Sequence, residues 1–183
     1  MSSSAQTGRP SRLTRKPLLL CAALLALFIG FFRTFSLCSM VGVSMLPTLP
    51  PDSLFLIQKW GYTPKRGDVV VVQKDSFIAY PIVKRVVATG GEHVVVDYAA
   101  NTVYVDGVAL DEPYLREPMV DTGSPNMTVL DVTVPEGSVY VLGDNRNNSS
   151  DSRHQDLGTV DERYILGKAL FRIFPLTAFG AVH

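Results

Sequence analysis

Sixteen consecutive uncharged residues, Pro17 to Phe32 (PLLLCAALLALFIGFF), constrain this chain more than any other feature. No other stretch is long and apolar enough to enter a bilayer. A spanning helix needs about 20 apolar residues. Arg33 interrupts the run and TFSLCSMVGV resumes it. An arginine can snorkel to the interface, so the helix is expected to continue to about Leu37. Arg9, Arg12, Arg15 and Lys16 precede the run, and the first acidic residue is Asp52. That asymmetry places the N-terminal side in the cytoplasm and the remainder outside. A cleaved secretory signal shares the basic start and the apolar core. Its exit site would have to be Ser36-Leu37-Cys38, which fits poorly. The reading adopted is an uncleaved anchor: a basic cytoplasmic tail at 1–16, a transmembrane segment at 17–37, and an extracytoplasmic domain at 38–183. The Ser-rich first eleven residues are expected to be disordered.

The residues beyond the anchor are numerous enough to bury a core without disulfide or metal staples. The chain of 183 residues carries 17 Lys+Arg against 17 Asp+Glu. Zero net charge argues against a nucleic-acid partner, which would require a basic surface. Cys21 and Cys38 are too few for a disulfide framework or a zinc site and are read as small apolar fillers. No P-loop or metal-ligand cluster is present, so no cofactor and no metal is expected.

Past Met40 the pattern is that of strands. Short β-rich runs occur at Leu54–Ile57, Asp68–Val72, Tyr80–Ala88, His93–Val96, Thr102–Val105, Val129–Val134 and Ser138–Leu142. Turn signals separate them, among them Pro50-Pro51-Asp52, Thr89-Gly90-Gly91 and Asp106-Gly107. The fold class expected is mostly β, a compact folded sheet or barrel behind one N-terminal transmembrane helix. A single short helix fits Asp161–Ile165. Asp111 to Asn126, rich in Pro and acid, reads as a surface loop.

Candidate chemistry centres on Ser44, in Gly42-Val43-Ser44-Met45-Leu46-Pro47-Thr48 just past the anchor. A serine hydroxyl hardly ionises at neutral pH, so a base must take its proton. The chain has three histidines. His93 follows a turn, and His183 is the last residue. A triad of Ser44, His154 and Asp151 is the arrangement a histidine base would require, although its order matches no familiar triad. No G-x-S-x-G elbow is present, since Leu46 stands where glycine would be. Lys84 is the better candidate. It lies among apolar neighbours in Ile82-Val83-Lys84-Arg85-Val86, with no carboxylate close in sequence. Burial would lower its pKa from the ordinary ~10.4, and a value near 8 corresponds to about 3 kcal/mol. The ordinary alternative is a surface lysine on an alternating strand, with Arg85 on the opposite face. The third block is Gly143-Asp144-Asn145-Arg146-Asn147-Asn148-Ser149-Ser150-Asp151-Ser152-Arg153, unusually polar for a segment directly after an apolar strand. As a calcium loop it fails, because Arg146, Ser149 and Gln155 fall where ligand, Gly and Glu are required.

These three blocks, in this order behind a membrane anchor, resemble the type I signal peptidase family, bacterial type. Its members are membrane-anchored serine proteases with a Ser-Lys dyad, and the resemblance runs from about Phe35 to the end. It implies an endopeptidase that removes signal peptides from preproteins at the membrane surface. Ser44 would be the nucleophile, Lys84 the general base, and Ser149 the hydroxyl that orients the lysine amine. Met45, Leu49, Ile82 and Val83 would wall shallow pockets for small substrate residues. Asp144, Asp151 and Arg153 would tie the polar loop together. The partners implied are signal-peptide-bearing preproteins and membrane lipid, with no nucleic acid; nothing in the sequence bears on oligomeric state. Two departures stand out. Gly42 replaces the serine that some relatives use as an oxyanion donor, leaving the Ser44 N–H. His154-Gln155-Asp156-Leu157-Gly158 replaces an aromatic-Gly pair. A self-cleaving Ser-Lys repressor would carry a DNA-binding domain where this chain has its apolar segment. A non-catalytic anchored β-domain would leave the ordered blocks unexplained.

Overall fold

The computed structural model describes residues 12–183, with side chains from residue 16. The expectation for the first eleven residues lies outside this range, as does most of the basic tail. Helix α1 spans Arg12–Thr34. Its apolar side chains, Leu18, Leu19, Leu27 and Phe28 among them, stand exposed. Its stretch Lys16–Thr34 is long and apolar enough to cross a membrane, and none of that span is buried by protein. It ends at Thr34, three residues short of the expected Leu37. Phe35–Ser39 forms strand β1 instead, because it pairs antiparallel with β2 (Leu54–Gln58) in register Phe35 to Gln58. A short apolar run suits either state, and here the pairing with β2 decides. Lys59 holds the junction: its N–H donates to the Thr34 carbonyl at 2.7 Å and its Nζ to that of Phe32 at 3.3 Å. Two of the carbonyls that a helix end leaves unpaired are thus satisfied.

Eight strands build the larger sheet. Besides β1 and β2 they are β3 (Val69–Val72), β4 (Ile82–Thr89), β9 (Ser138–Leu142), β10 (Val160–Asp161), β11 (Ile165–Phe174) and β12 (Gly180–Ala181). Their order is β1-β2-β11-β3-β4-β9-β10, with β12 paired to β11. The path is open at β1 and β10, so this is the folded-sheet form of the expected architecture. Register shifts in β11 and between Val86 and Ala88 of β4 mark bulges, which bend the strands that carry them. The smaller sheet has the order β7-β6-β5-β8, from β5 (His93–Asp97), β6 (Thr102–Val105), β7 (Val108–Ala109) and β8 (Asp131–Thr133).

Alternating burial in β2, β5 and β6 shows why these runs are strands with one face inward. By contrast β3, β9 and most of β4 are buried on both faces. Met40, Met45, Leu49, Phe55, Val69, Val71 and Val83 form one core cluster, directly beneath the Ser44 loop. The expected helix at Asp161–Ile165 is one 3-10 turn, Glu162–Tyr164, in which the Arg163 N–H donates to the Asp161 side chain. Asp111–Asn126 contains no strand, as expected of a loop, but it is not merely surface: Met119 reaches the core and Glu112 meets a buried arginine.

Candidate active site

Two elements converge on one groove. Ser44 sits in the turn-rich stretch between β1 and β2, on a backbone that Gly42 redirects with φ +82°. A side chain at that φ would be strained, which suits glycine at this position. Lys84 comes from β4, paired with Val70 of β3. Its Nζ lies 2.9 Å from Ser44 Oγ and 2.9 Å from the Val83 carbonyl. Only 3% of Lys84 is exposed. Burial pushes its pKa down to about 8, against the upward pull of Asp151 and Asp144, while Arg153 adds a downward push.

Those two carboxylates do not pair with the lysine because each is held by an arginine. Arg85 grips Asp144 through Nε at 2.8 Å and Nη2 at 2.7 Å, both side chains being almost wholly buried. Thr48 donates to the same Asp144 carboxylate, tying the nucleophile loop to the ion pair. Arg153 grips Asp151 at 2.8 and 2.9 Å. Burial alone would raise the Asp151 pKa, but the Arg153 charge and hydrogen bonds, with the Gly143 N–H, hold it below the ordinary carboxylate range. A third pair, Arg146 with Glu112, anchors the Asp111–Asn126 loop, and Tyr114 from that loop stacks on the Arg85 guanidinium at 3.9 Å. Buried pairs of this kind are costly to break from one side, because the surviving charge is stranded.

The expected residues are therefore sorted. Ser44 and Lys84 are brought together. Asp144, Asp151 and Arg153 form buried ion pairs beside them. Ser149 is buried in the site, packed against Gly143 where a Cβ would collide with it, and its hydroxyl helps hold the Asp151 carboxyl below the ordinary range without donating to Lys84. The hydrogen bond to Lys84 expected of it is not formed in this structure. Ile82 and Val83 line the groove beside the dyad. Met45 and Leu49 are fully buried beneath the Ser44 loop, in the core cluster shared with Phe55 and Val71, which themselves line the groove. Arg85 is not on a solvent face but at the centre of the ion-pair cluster. The histidine triad is not assembled. His154 engages Asp156 and stacks edge-on with Phe77, while Asp151 is committed to Arg153 and Gly143.

Arg85, Asn145, Thr48 and Glu112 were not singled out from sequence as site residues. The alternation of acids and arginines in the polar loop was the available signal, since buried charges require partners. The groove has a volume of about 690 Å³ and is walled by Leu37, Ser39, Val43, Tyr80, Ile82 and Val83, with Ser44 and Lys84 among its lining. Among the described residues no cluster of His, Cys, Asp or Glu could hold a metal ion. The arrangement is chemically competent for acyl transfer: a hydroxyl in contact with a buried amine whose pKa lies near neutrality.

The chain is similar to known proteins. The family described as "Signal peptidase, peptidase S26" matches residues 13–174. "Probable signal peptidase I-1" of Synechocystis sp. is 36% identical over 174 residues, covering 90% of this chain and 83% of the relative. "Signal peptidase I" of Bacillus caldolyticus is 38% identical over 152 residues, covering 76% and 79%. The crystal structure of a signal peptidase I from Enterococcus faecalis has 30% sequence identity and a TM-score of 0.45, covering 58% of this chain and 97% of that one.

Proposed function

This chain belongs to the peptidase S26 family of signal peptidases, serine endopeptidases that act on signal-peptide-bearing preproteins, and from that premise we propose that Ser44 and Lys84 are its catalytic pair. The observation that carries the assignment is the 2.9 Å approach of Lys84 Nζ to Ser44 Oγ. Neutral Lys84 takes the proton from the Ser44 hydroxyl as Oγ attacks the scissile carbonyl. The oxyanion is met by the Ser44 N–H, which among the described residues donates to no protein group. Lys84 then gives its proton to the leaving amine, and an acyl-enzyme remains. Lys84 next removes a proton from water, whose oxygen attacks the ester carbonyl. Collapse of that intermediate returns the proton to Ser44 and releases the mature protein.

The substrate binds extended. On its β9 side, β4 begins pairing only at Arg85, so Ile82, Val83 and Lys84 leave that edge open. The free edge of β1 runs into the same groove. A peptide laid there as an added strand would present alternate side chains to Ile82 and Val83. Ser149 stands as a positioning hydroxyl that can turn toward the amine once substrate is bound.

The segment 17–37 remains the proposed membrane anchor, with its helical part ending at Thr34 and the domain from residue 38 outside the cytoplasm. Lipid contact is supported by the exposed apolar helix and by Trp60, exposed beside the Lys59 that caps it. Cleavage after Cys38 would remove most of β1, a strand paired along its length to β2, which weighs against a removable signal. Lys84→Arg and His154→Ala, assayed with a preprotein, test the catalytic pair. Arginine cannot be deprotonated at working pH, so Lys84→Arg should be inactive and His154→Ala should keep most of its activity. The opposite pattern would replace the dyad with a histidine mechanism.

A further inference from the structure

Asn145 touches the nucleophile loop twice without touching either member of the dyad through its side chain. Its backbone N–H donates to the Ser44 carbonyl at 2.9 Å. Its side-chain Nδ2 donates to the Val43 carbonyl at 3.2 Å, which also receives the Leu46 N–H at 3.1 Å. A trans peptide is planar, and its C=O and N–H point in opposite directions. Holding the Val43 carbonyl therefore aims the Ser44 N–H, the oxyanion donor. Holding the Ser44 carbonyl fixes the next peptide plane. The two planes meet at the Ser44 Cα, so together they set its φ and ψ and hence the direction of Cβ and Oγ toward Lys84.

Asn145 is itself held firmly. On one side Asp144 is locked by Arg85, and on the other Arg146 is locked by Glu112. Behind it Gly143 allows close approach: a Cβ there would come within 2.6 Å of the Ser44 carbonyl oxygen. The ion-pair cluster thus ends in two hydrogen-bond donors applied to consecutive carbonyls of the nucleophile loop. With Gly42 offering no hydroxyl, the aim of the one N–H matters more. We infer that Asn145 is the positioning residue for the oxyanion site, its amide and backbone donors orienting the Ser44 peptide planes so that N–H and Oγ are set for the tetrahedral intermediate.

This deepens the Ser44–Lys84 assignment and rests on it. The test uses the full-length protein in phospholipid vesicles with a preprotein substrate, and Ser44→Ala as control. Asn145→Ala keeps the backbone donor and loses the amide. Its kcat should fall about 10- to 100-fold, the range that misplacement of a reacting group produces. KM should stay within about twofold, and the midpoint of kcat/KM against pH should stay at the wild-type value, because Lys84 is untouched. A peptide aldehyde spanning the cut site, whose adduct carries the oxyanion, should lose affinity by the same factor as kcat. Asn145→Asp, matched in shape but without the amide donor, covers the case in which the alanine variant does not fold. Measured above its own pH midpoint, it should show the same kcat loss. Wild-type kcat in either variant, a loss confined to KM, or unchanged aldehyde affinity would overturn the inference. Cleavage by the Ser44→Ala control would instead overturn the parent assignment.

Discussion

Lys84 holds its amine almost wholly out of water, and among the described residues no carboxylate lies within ion-pair distance of it. Its pKa of about 8, lowered chiefly by burial, makes a fraction of the amine neutral at working pH. The proposed mechanism uses that neutral form, so kcat/KM should rise with pH to a plateau with an apparent midpoint near 8, far below that of an ordinary lysine. The same shift acts on stability. Between pH 8 and 10.5 the unfolded state binds more protons at this site than the folded state, so the lysine's contribution to stability rises with pH across that window. Below it, burial of the charge costs about 3 kcal/mol. Lys84→Met should therefore be inactive yet more stable than wild type at pH 7, by about 1–3 kcal/mol after the lost hydrogen bonds are counted. Denaturant melts across pH should show this difference shrinking toward pH 10.5; a methionine variant less stable at pH 7 would mean the lysine is not a buried, strained charge.

The polar loop from Gly143 to Arg153 and strand β4 act together as the frame of the site. Removing Arg153 leaves Asp151 charged, buried and unpaired. Arg153→Met should destabilise the domain by about 3–5 kcal/mol. It should also release the upward pull of Asp151 on Lys84, moving the activity midpoint to higher pH. A variant that melts early but keeps the wild-type midpoint would separate the ion pair from the base. At this scale the sequence was informative where pattern is local. Leu54–Ile57, Thr102–Val105 and Ser138–Leu142 were legible because alternation or unbroken β-branched and aromatic content needs no partner to be recognised. Strand β11 was not: ILGKALFRIF carries Gly167 and two register shifts against β2, so its period is broken and only its neighbours β2 and β3 make it a strand. The burial of Met45 and Leu49 was not legible either, since adjacency to Ser44 says nothing about which way a turn points its side chains. The Arg85–Asp144 and Arg146–Glu112 pairs join residues far apart in the chain, so the alternating charges of the polar loop signal that partners are needed but not which residues supply them.

For the whole molecule, the apolar helix leads directly into β1, so with that helix as the proposed anchor the groove would be tethered a few residues from the bilayer. That anchoring would place Ser44 where a preprotein's own apolar segment delivers its cut site. The charge asymmetry around the helix predicts that a reporter fused after His183 lies outside the cytoplasm, protected from cytoplasmic protease, with Lys16 retained in the mature protein; N-terminal sequencing that begins at Ser39 would show a removed signal instead. The central claim is that one hydroxyl, activated by one buried amine, performs this proteolysis. It is tested most directly by incubating the purified full-length protein, reconstituted in vesicles, with a preprotein and sequencing the product. Wild type should yield a single new N-terminus at the signal-peptide junction, while Ser44→Ala, folded to the same melting temperature, should yield none. Cleavage at the wild-type rate by Ser44→Ala would contradict the account.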